Sequence, residues 1–180
     1  MEKPITGAVM SDQPIVFEEW NTSDGARIAV ARLNTPRNLN SLSMDMIRLL
    51  TPQLERWAED PSVRAVWLEA EGEKAFCAGG DIVSLYRSMT ESGKLNEGEQ
   101  FFTEEYELDY LIHTFPKPII CWGNGIVMGG GIGLMVGASH RVVTENSKLA
   151  MPEVSIGLYP DIGAGWFLNR MPMRTGLFLG

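Results

Sequence analysis

The stretch that most restricts how this chain can fold is "WGNGIVMGGGIGLMVGASHRV", residues 122–142. It holds three consecutive glycines, Gly129 to Gly131, and no ionisable side chain before His140. Each glycine weakens a helix or strand by roughly 0.5–1 kcal/mol relative to alanine. So many of them in an apolar run are wanted where a backbone must come very close to something else. The wider uncharged run, residues 118–139, is 22 residues long, about the length of a membrane-crossing helix. Seven of those residues are glycine, one is proline and one is asparagine, so the pattern reads as a strand, a glycine turn and a buried helix. No membrane association is expected.

The flanking sequence alternates strand and helix patterns. "IVFEEW" (15–20) and "RIAVARL" (27–33) are β-like runs separated by a turn-forming "NTSDGA". "SLSMDMIRLLTPQLERWAED" carries Ile47, Leu50, Leu54 and Trp57 at helical spacing, with Ser43 as an N-cap and Pro52 as a point of kinking or division. "VRAVWLEAEG" is a strand, and "KAFCAGGD" (74–81) is a glycine turn opening the helix "IVSLYRSM". After a polar loop over residues 90–99, "QFFTEEYELDYLIHTF" reads as a helix with Phe102, Tyr106 and Tyr110 spaced by four. "PKPIICWGNGIVM" is a strand, "GIGLMVGAS" a buried helix, and "HRVVTENSKLAM" a strand with a turn at Glu145–Asn146. The final "AGWFLNRM" is helical. This alternation predicts an α/β fold with a largely parallel core. It forms one domain over 15–180 behind an N-terminal tail, 1–14. The last residues, "TGLFLG", stop inside an apolar segment, so the chain is expected to be part of a longer polypeptide.

A formal net charge of -8 argues against a nucleic-acid face. The two cysteines, Cys77 and Cys121, are read as reduced, buried thiols and not as a disulfide framework. No metal site is expected. "MEKPITGAVMSDQPIVF" has neither an apolar core nor an Arg-rich leader pattern, which predicts a cytoplasmic protein.

Chemistry concentrates at two glycine turns, Ala78-Gly79-Gly80 and Gly129-Gly130-Gly131, each following a strand and opening a helix. Backbone N–H groups at a helix start have no internal partner, so two such ends could cradle an anion or an oxyanion. Tight strand-to-helix packing would also call for glycine, and spacing alone leaves both readings open. GxGxxG is absent in register, because Met128 interrupts it, and neither His113 nor His140 belongs to a nucleophilic triad pattern. The remaining candidates are Glu153, after an apolar run, and Asp161, in a glycine-rich turn. A carboxylate among apolar neighbours suits acid–base work, and a helix-capping role is equally open for each.

"KAFCAGGDI", "NGIVMGGGIGL", "AMPEVSIGLYPDIGAGWFL" and the earlier "LNTPRNLNSLSMDM" resemble the ordered signature blocks of the crotonase (enoyl-CoA hydratase/isomerase) superfamily, over Val16 to Arg170. The resemblance implies a ββα spiral core whose C-terminal helical part is missing here. The implied ligand is an acyl-coenzyme A thioester, with coenzyme A entering only as part of the substrate and no separate cofactor. It implies oxyanion donors at the Gly80 and Gly130 amides, coenzyme A contacts at Arg37 and Ala78, and a weaker one at Arg32. Hydratases of the superfamily carry a glutamate where this chain has Gly133, which leaves their acid–base pair incomplete. Glu153 with Asp161 looks like the branch that hydrolyses 3-hydroxyisobutyryl-CoA in valine breakdown. There Glu153 attacks the thioester or activates water, and Asp161 holds the substrate hydroxyl or assists proton transfer. An enoyl-CoA isomerase or hydratase, a dehalogenase-like enzyme and a non-catalytic CoA-binding or assembly module are the rival readings. The resemblance also implies a homo-oligomer, or association with the C-terminal segment.

Overall fold

The computed structural model describes residues 12–91 and 96–180, so most of the expected N-terminal tail lies outside the described residues. The chain opens with a hairpin of β1 (Ile15–Asn21) and β2 (Arg27–Leu33), the antiparallel pair of the fold; every later strand pairing is parallel. α1 (Met44–Glu59) starts at Ser43, whose Oγ accepts a hydrogen bond from the Met46 amide. It buries Met46, Ile47, Leu50, Leu54 and Trp57 along one stripe. Pro52 neither kinks the helix into two segments nor ends it. The buried Leu50 and Leu54 on either side hold the helix to the core, and that packing outweighs one lost backbone hydrogen bond.

The rest of the chain repeats one pattern. β3 (Val63–Ala70) and β4 (Ala75–Cys77) lead to α2 (Ile82–Glu91) and α3 (Glu97–His113). β5 (Ile119–Gly123) and β6 (Ile126–Met128) lead to α4 (Gly130–Gly137). β7 (His140–Val143) and β8 (Lys148–Ala150) lead to a single 3-10 turn, Glu153–Ile156, and to α5 (Ala164–Phe167), before α6 (Thr175–Leu179). In each repeat the first strand joins a five-stranded sheet, ordered β1-β2-β3-β5-β7, and the second joins a three-stranded sheet, ordered β4-β6-β8. This is the ββα spiral expected from the sequence. The single strands expected over "PKPIICWGNGIVM" and "HRVVTENSKLAM" are each two strands in different sheets. At the first break Gly125 has φ +70°, and a Cβ there would overlap the Lys74 carbonyl, so the chain turns against β4 as it changes sheet. The polar loop expected over 90–99 is narrowed from both sides, since α2 runs to Glu91 and α3 begins at Glu97. No helix among the described residues is long and apolar enough to cross a membrane.

Helix α4 is held by close backbone approach. A Cβ on Gly131 would overlap the Cys77 carbonyl at the end of β4, and one on Gly137 would lie 3.0 Å from Ile112 Cγ2 on α3. A Cβ on Gly133 would lie 2.7 Å from Asp109 Oδ2, also on α3. Glycines at 130, 133 and 137 thus form the face on which α3 lies. Gly98, Phe101, Glu105, Leu108 and Ile112 are the residues that α3 buries. The evenly spaced Phe102, Tyr106 and Tyr110 mark the helix but not its buried face: Phe102 is half-buried, and the two tyrosines are exposed.

Replacing Gly131 by alanine is expected to lower stability by about 2 kcal/mol or more, because the new methyl meets fixed backbone. Gly165→Ala, where nothing lies within 4 Å, is expected to leave stability unchanged or slightly raised. Denaturant melts of both variants check the contrast.

Candidate active site

The two glycine turns meet because β4 and β6 are neighbours in the three-stranded sheet. A Cβ on Gly130 would lie 3.4 Å from the Gly80 nitrogen, and one on Gly129 3.6 Å from Gly79 Cα. Leu42 donates to the Gly79 carbonyl and accepts from the Asp81 amide, so the amide of Gly80 faces away from that bridge. Gly130 opens α4, and its amide has no partner within the helix. Among the described residues neither amide has a backbone acceptor.

The segment before α1 is laid along the first turn. The Ala78 amide donates to Leu39 O at 3.1 Å, which engages the Ala78 donor. Buried Asn40 locks the two segments together: its Oδ1 accepts from the Thr35 amide, and its Nδ2 donates to the carbonyls of Glu71 and Ala75. Arg37 sits exposed in a 3-10 turn, Pro36–Asn38, on this same segment. Arg32 is different. On β2 its guanidinium is paired with Glu18 and Glu69 in cross-strand ion pairs on the sheet.

Glu153 is the first residue of the 3-10 turn after β8 and is 9% exposed. Its Oε1 is 2.7 Å from where a Gly129 Cβ would be, so the missing side chain is what lets this carboxyl approach the second turn. Its Oε2 is buried without a hydrogen-bond partner. Burial, with the charge of Asp161, raises its pKa above the usual carboxylate value, although a backbone hydrogen bond pulls the other way. Asp161 is not a helix cap. The N-cap of α5 is Gly163, without a side-chain bond, and the Asp161 carboxylate instead accepts from the Tyr106 phenol at 2.5 Å.

Two carboxyls of the site escape sequence reasoning. Glu105 and Asp109, one helical turn apart on α3, point at α4. Glu105 Oε1 occupies the space a Gly130 side chain would need, and it is buried without a partner. Both Asp109 oxygens are likewise buried and unpaired beside Gly133. Burial, then the charges of Asp161 and Glu153, push Glu105 up to about 8. Burial, then Glu105 and Asp161, raise Asp109 well above the carboxylate range. Glu105 is therefore mostly protonated near pH 7, and Asp109 is biased the same way. The signal in the sequence was Glu105 itself, an acidic residue inside the stripe Phe101–Glu105–Leu108–Ile112. The position where hydratases carry a glutamate, Gly133, is therefore covered by a carboxyl from another helix.

A ββα spiral whose turns set paired backbone amides beside buried carboxyls defines a class, and comparison with known proteins agrees. Residues 28–180 match the family model described as enoyl-CoA hydratase/isomerase, and the chain belongs to that crotonase family. Among curated relatives, it is 49% identical to the mitochondrial 3-hydroxyisobutyryl-CoA hydrolase of Xenopus tropicalis, over 83% of this chain and 38% of that protein. It is 47% identical to the protein of the same name from Danio rerio, over 97% of this chain and 45% of that protein. The chain thus spans less than half the length of the curated relatives it matches. Its backbone superposes on the crystal structure of an enoyl-CoA hydratase from Rhodobacter sphaeroides with a TM-score of 0.84 and 39% identity, covering 93% of this chain and 48% of the other. These relatives correct one expectation. Both hydrolases are named mitochondrial, which points away from the cytoplasmic location read from the first residues. A targeting leader is a short segment independent of the folded core, so the core carries no trace of the compartment.

The raised pKa of Glu105 makes stability depend on pH. The unfolded chain releases this proton near the ordinary 4.5 and the folded one near about 8, so the folded state binds the extra proton between those values. The contribution is full below 4.5 and is lost as pH rises through about 8. Melting temperature is expected to fall from pH 5 to pH 8, and Glu105→Gln to flatten that slope. Asp109→Asn, which keeps the shape of the carboxyl and removes its capacity to ionise, is expected to lower stability less than Asp109→Ala, as denaturant melts at pH 6 would read.

Proposed function

We propose that this chain is the acyl-CoA-binding core of a thioester hydrolase acting on 3-hydroxyisobutyryl-CoA. The observation that carries the reading is Glu153. It is a buried carboxyl with one unpaired oxygen, set against the glycine turn that presents a free amide. The names of the curated relatives support the substrate.

In this reading the thioester oxygen lies between the Gly80 and Gly130 amides, which stabilise the negative charge that develops as the carbonyl carbon becomes tetrahedral. Neither donor needs a side chain, which accounts for the absence of charge in the glycine-rich run. Glu153 either attacks the carbonyl carbon or takes a proton from water that does so. In both routes the C–S bond breaks, coenzyme A leaves as the thiol or thiolate, and one water is consumed to release the carboxylic acid. Asp161 receives the hydroxyl of the acyl group. Arg37, exposed beside the first turn, and Ala78 line the side from which coenzyme A enters. Gly133 supports hydrolysis over hydration, because α4 itself supplies no second carboxyl. The apolar surface around Val154, Ile156, Tyr159 and Trp166 is exposed next to Glu153 and Asp161, which supports a covering partner, either further polypeptide or a second copy.

Incubating the full-length protein with 3-hydroxyisobutyryl-CoA and following thiol release tests the reading. Glu153→Gln is expected to lower kcat by at least about 10²-fold while leaving the Kd for coenzyme A within about threefold. Because the Glu153 pKa is raised, the acid limb of the kcat/KM profile is expected above the ordinary 4.5. Turnover of a 3-enoyl-CoA without thiol release would identify an isomerase instead, and binding without turnover a non-catalytic module.

A further inference from the structure

Asp161 is carried on a loop that has little of its own to hold it. Gly157, Ile162 and Gly163 around it adopt left-handed backbone, and the Asp161 carbonyl accepts from the Ala164 amide, which fixes the main chain but not the side chain. The carboxylate caps no helix. Its hydrogen bond runs across the site to Tyr106 on α3, 55 residues away in sequence.

Tyr106 is well placed to be the fixed partner. It lies in the interior of a 17-residue helix that packs on α1 and α4, and its ring leans on Phe102 with centroids 6.0 Å apart. The neighbouring residue, Glu105, is the carboxyl lodged against Gly130, so the backbone that carries Tyr106 is registered directly to the second glycine turn. Burial, reinforced by the adjacent Asp161 carboxylate, raises the pKa of the phenol, which therefore keeps its proton and serves only as a donor here. With Oδ2 receiving that proton donor, Oδ1 of Asp161 has no hydrogen-bond partner among the described residues.

We infer that Tyr106 is a positioning residue that makes the site selective for β-hydroxyacyl thioesters: its phenol holds Asp161 Oδ2, so that Oδ1 is presented to the hydroxyl of the acyl group. The inference rests on the reading of Asp161 as the hydroxyl acceptor. It adds where the selectivity comes from, a rigid helix that aims a carboxylate carried by a loop. The hydroxyl donates to Oδ1 and the phenol to Oδ2, so both donors are satisfied by one carboxylate and no proton changes owner.

The test compares 3-hydroxyisobutyryl-CoA with isobutyryl-CoA, which lacks only the hydroxyl. In the full-length protein, Tyr106→Phe is expected to lower the ratio of the two kcat/KM values by on the order of tenfold, the usual effect of losing one hydrogen bond to a charged group. In an Asp161→Asn background the same change is expected to move the ratio by less than about twofold, because the partner it acts through is already altered. An equal loss for both substrates, or none for either, would overturn the inference, since a purely structural tyrosine cannot distinguish them. If the wild-type protein hydrolyses neither thioester, the proposed hydrolase reading fails on its own. The ratio of the two dissociation constants then decides the role of Tyr106: a shift of about tenfold on Tyr106→Phe supports it, and an unchanged ratio overturns it.

Discussion

The architecture of the site depends on how closely helix α3 approaches helix α4. Side chains on α4 would hold the two helices apart. With glycine at 130, 133 and 137, the polar face of α3 comes down onto the α4 backbone, and Glu105 and Asp109 occupy the space that side chains would have taken. The same approach brings Tyr106 within reach of Asp161. One packing decision thus sets three features: an α4 amide free of side-chain cover, a pair of buried carboxyls beside it, and a tyrosine anchored across from an acid carried on a loop. Of the two readings that the spacing left open, close packing is visible directly in the glycine contacts. Gly131, Gly133 and Gly137 serve packing, whereas Gly129 and Gly130 face Glu153 and Glu105.

Four carboxyls share this region, none of them in an ion pair among the described residues, and the physical consequence is uneven ionisation. Burial disfavours charge at Glu105, Asp109 and Glu153, and each added charge makes the next harder to form. Burial biases both Glu105, pushed up to about 8, and Asp109 toward the protonated form. A neutral acid can rest against a backbone amide and an apolar core where a carboxylate could not. The replacement of a hydratase glutamate by Gly133 is therefore more than a deletion. A carboxyl is present there, but it arrives from α3 and both its oxygens are unpaired.

Much of the local structure was legible from residue patterns. Ser43 caps α1 as its position predicts, the apolar stripe of α1 is buried, and both glycine turns open helices. The strands were legible as β-like runs but not as members of two sheets, because what separates β5 from β6 is a φ angle at Gly125 and a close approach to Lys74. Pro52 signalled a break that the packing of α1 overrides. On α3 the even spacing of Phe102, Tyr106 and Tyr110 marked the helix, while its buried face is carried by other residues. Glu105 was hidden because an acidic side chain inside a helical stripe reads as solvent-facing until a neighbouring helix is known to cover it.

The sequence by itself determined the alternation of strands and helices, the family, the two glycine turns and the candidacy of Glu153 and Asp161, because each depends on short-range residue chemistry or on ordered motifs. The tertiary structure alone decided which amides remain unpaired and that Arg32 is tied up in ion pairs. It also decided that Glu105 and Asp109 belong to the site and that Tyr106 holds Asp161. These depend on groups separated by tens of residues meeting in a region of low dielectric. There, distance and burial set the protonation state and the partner of each group, and residue type does not.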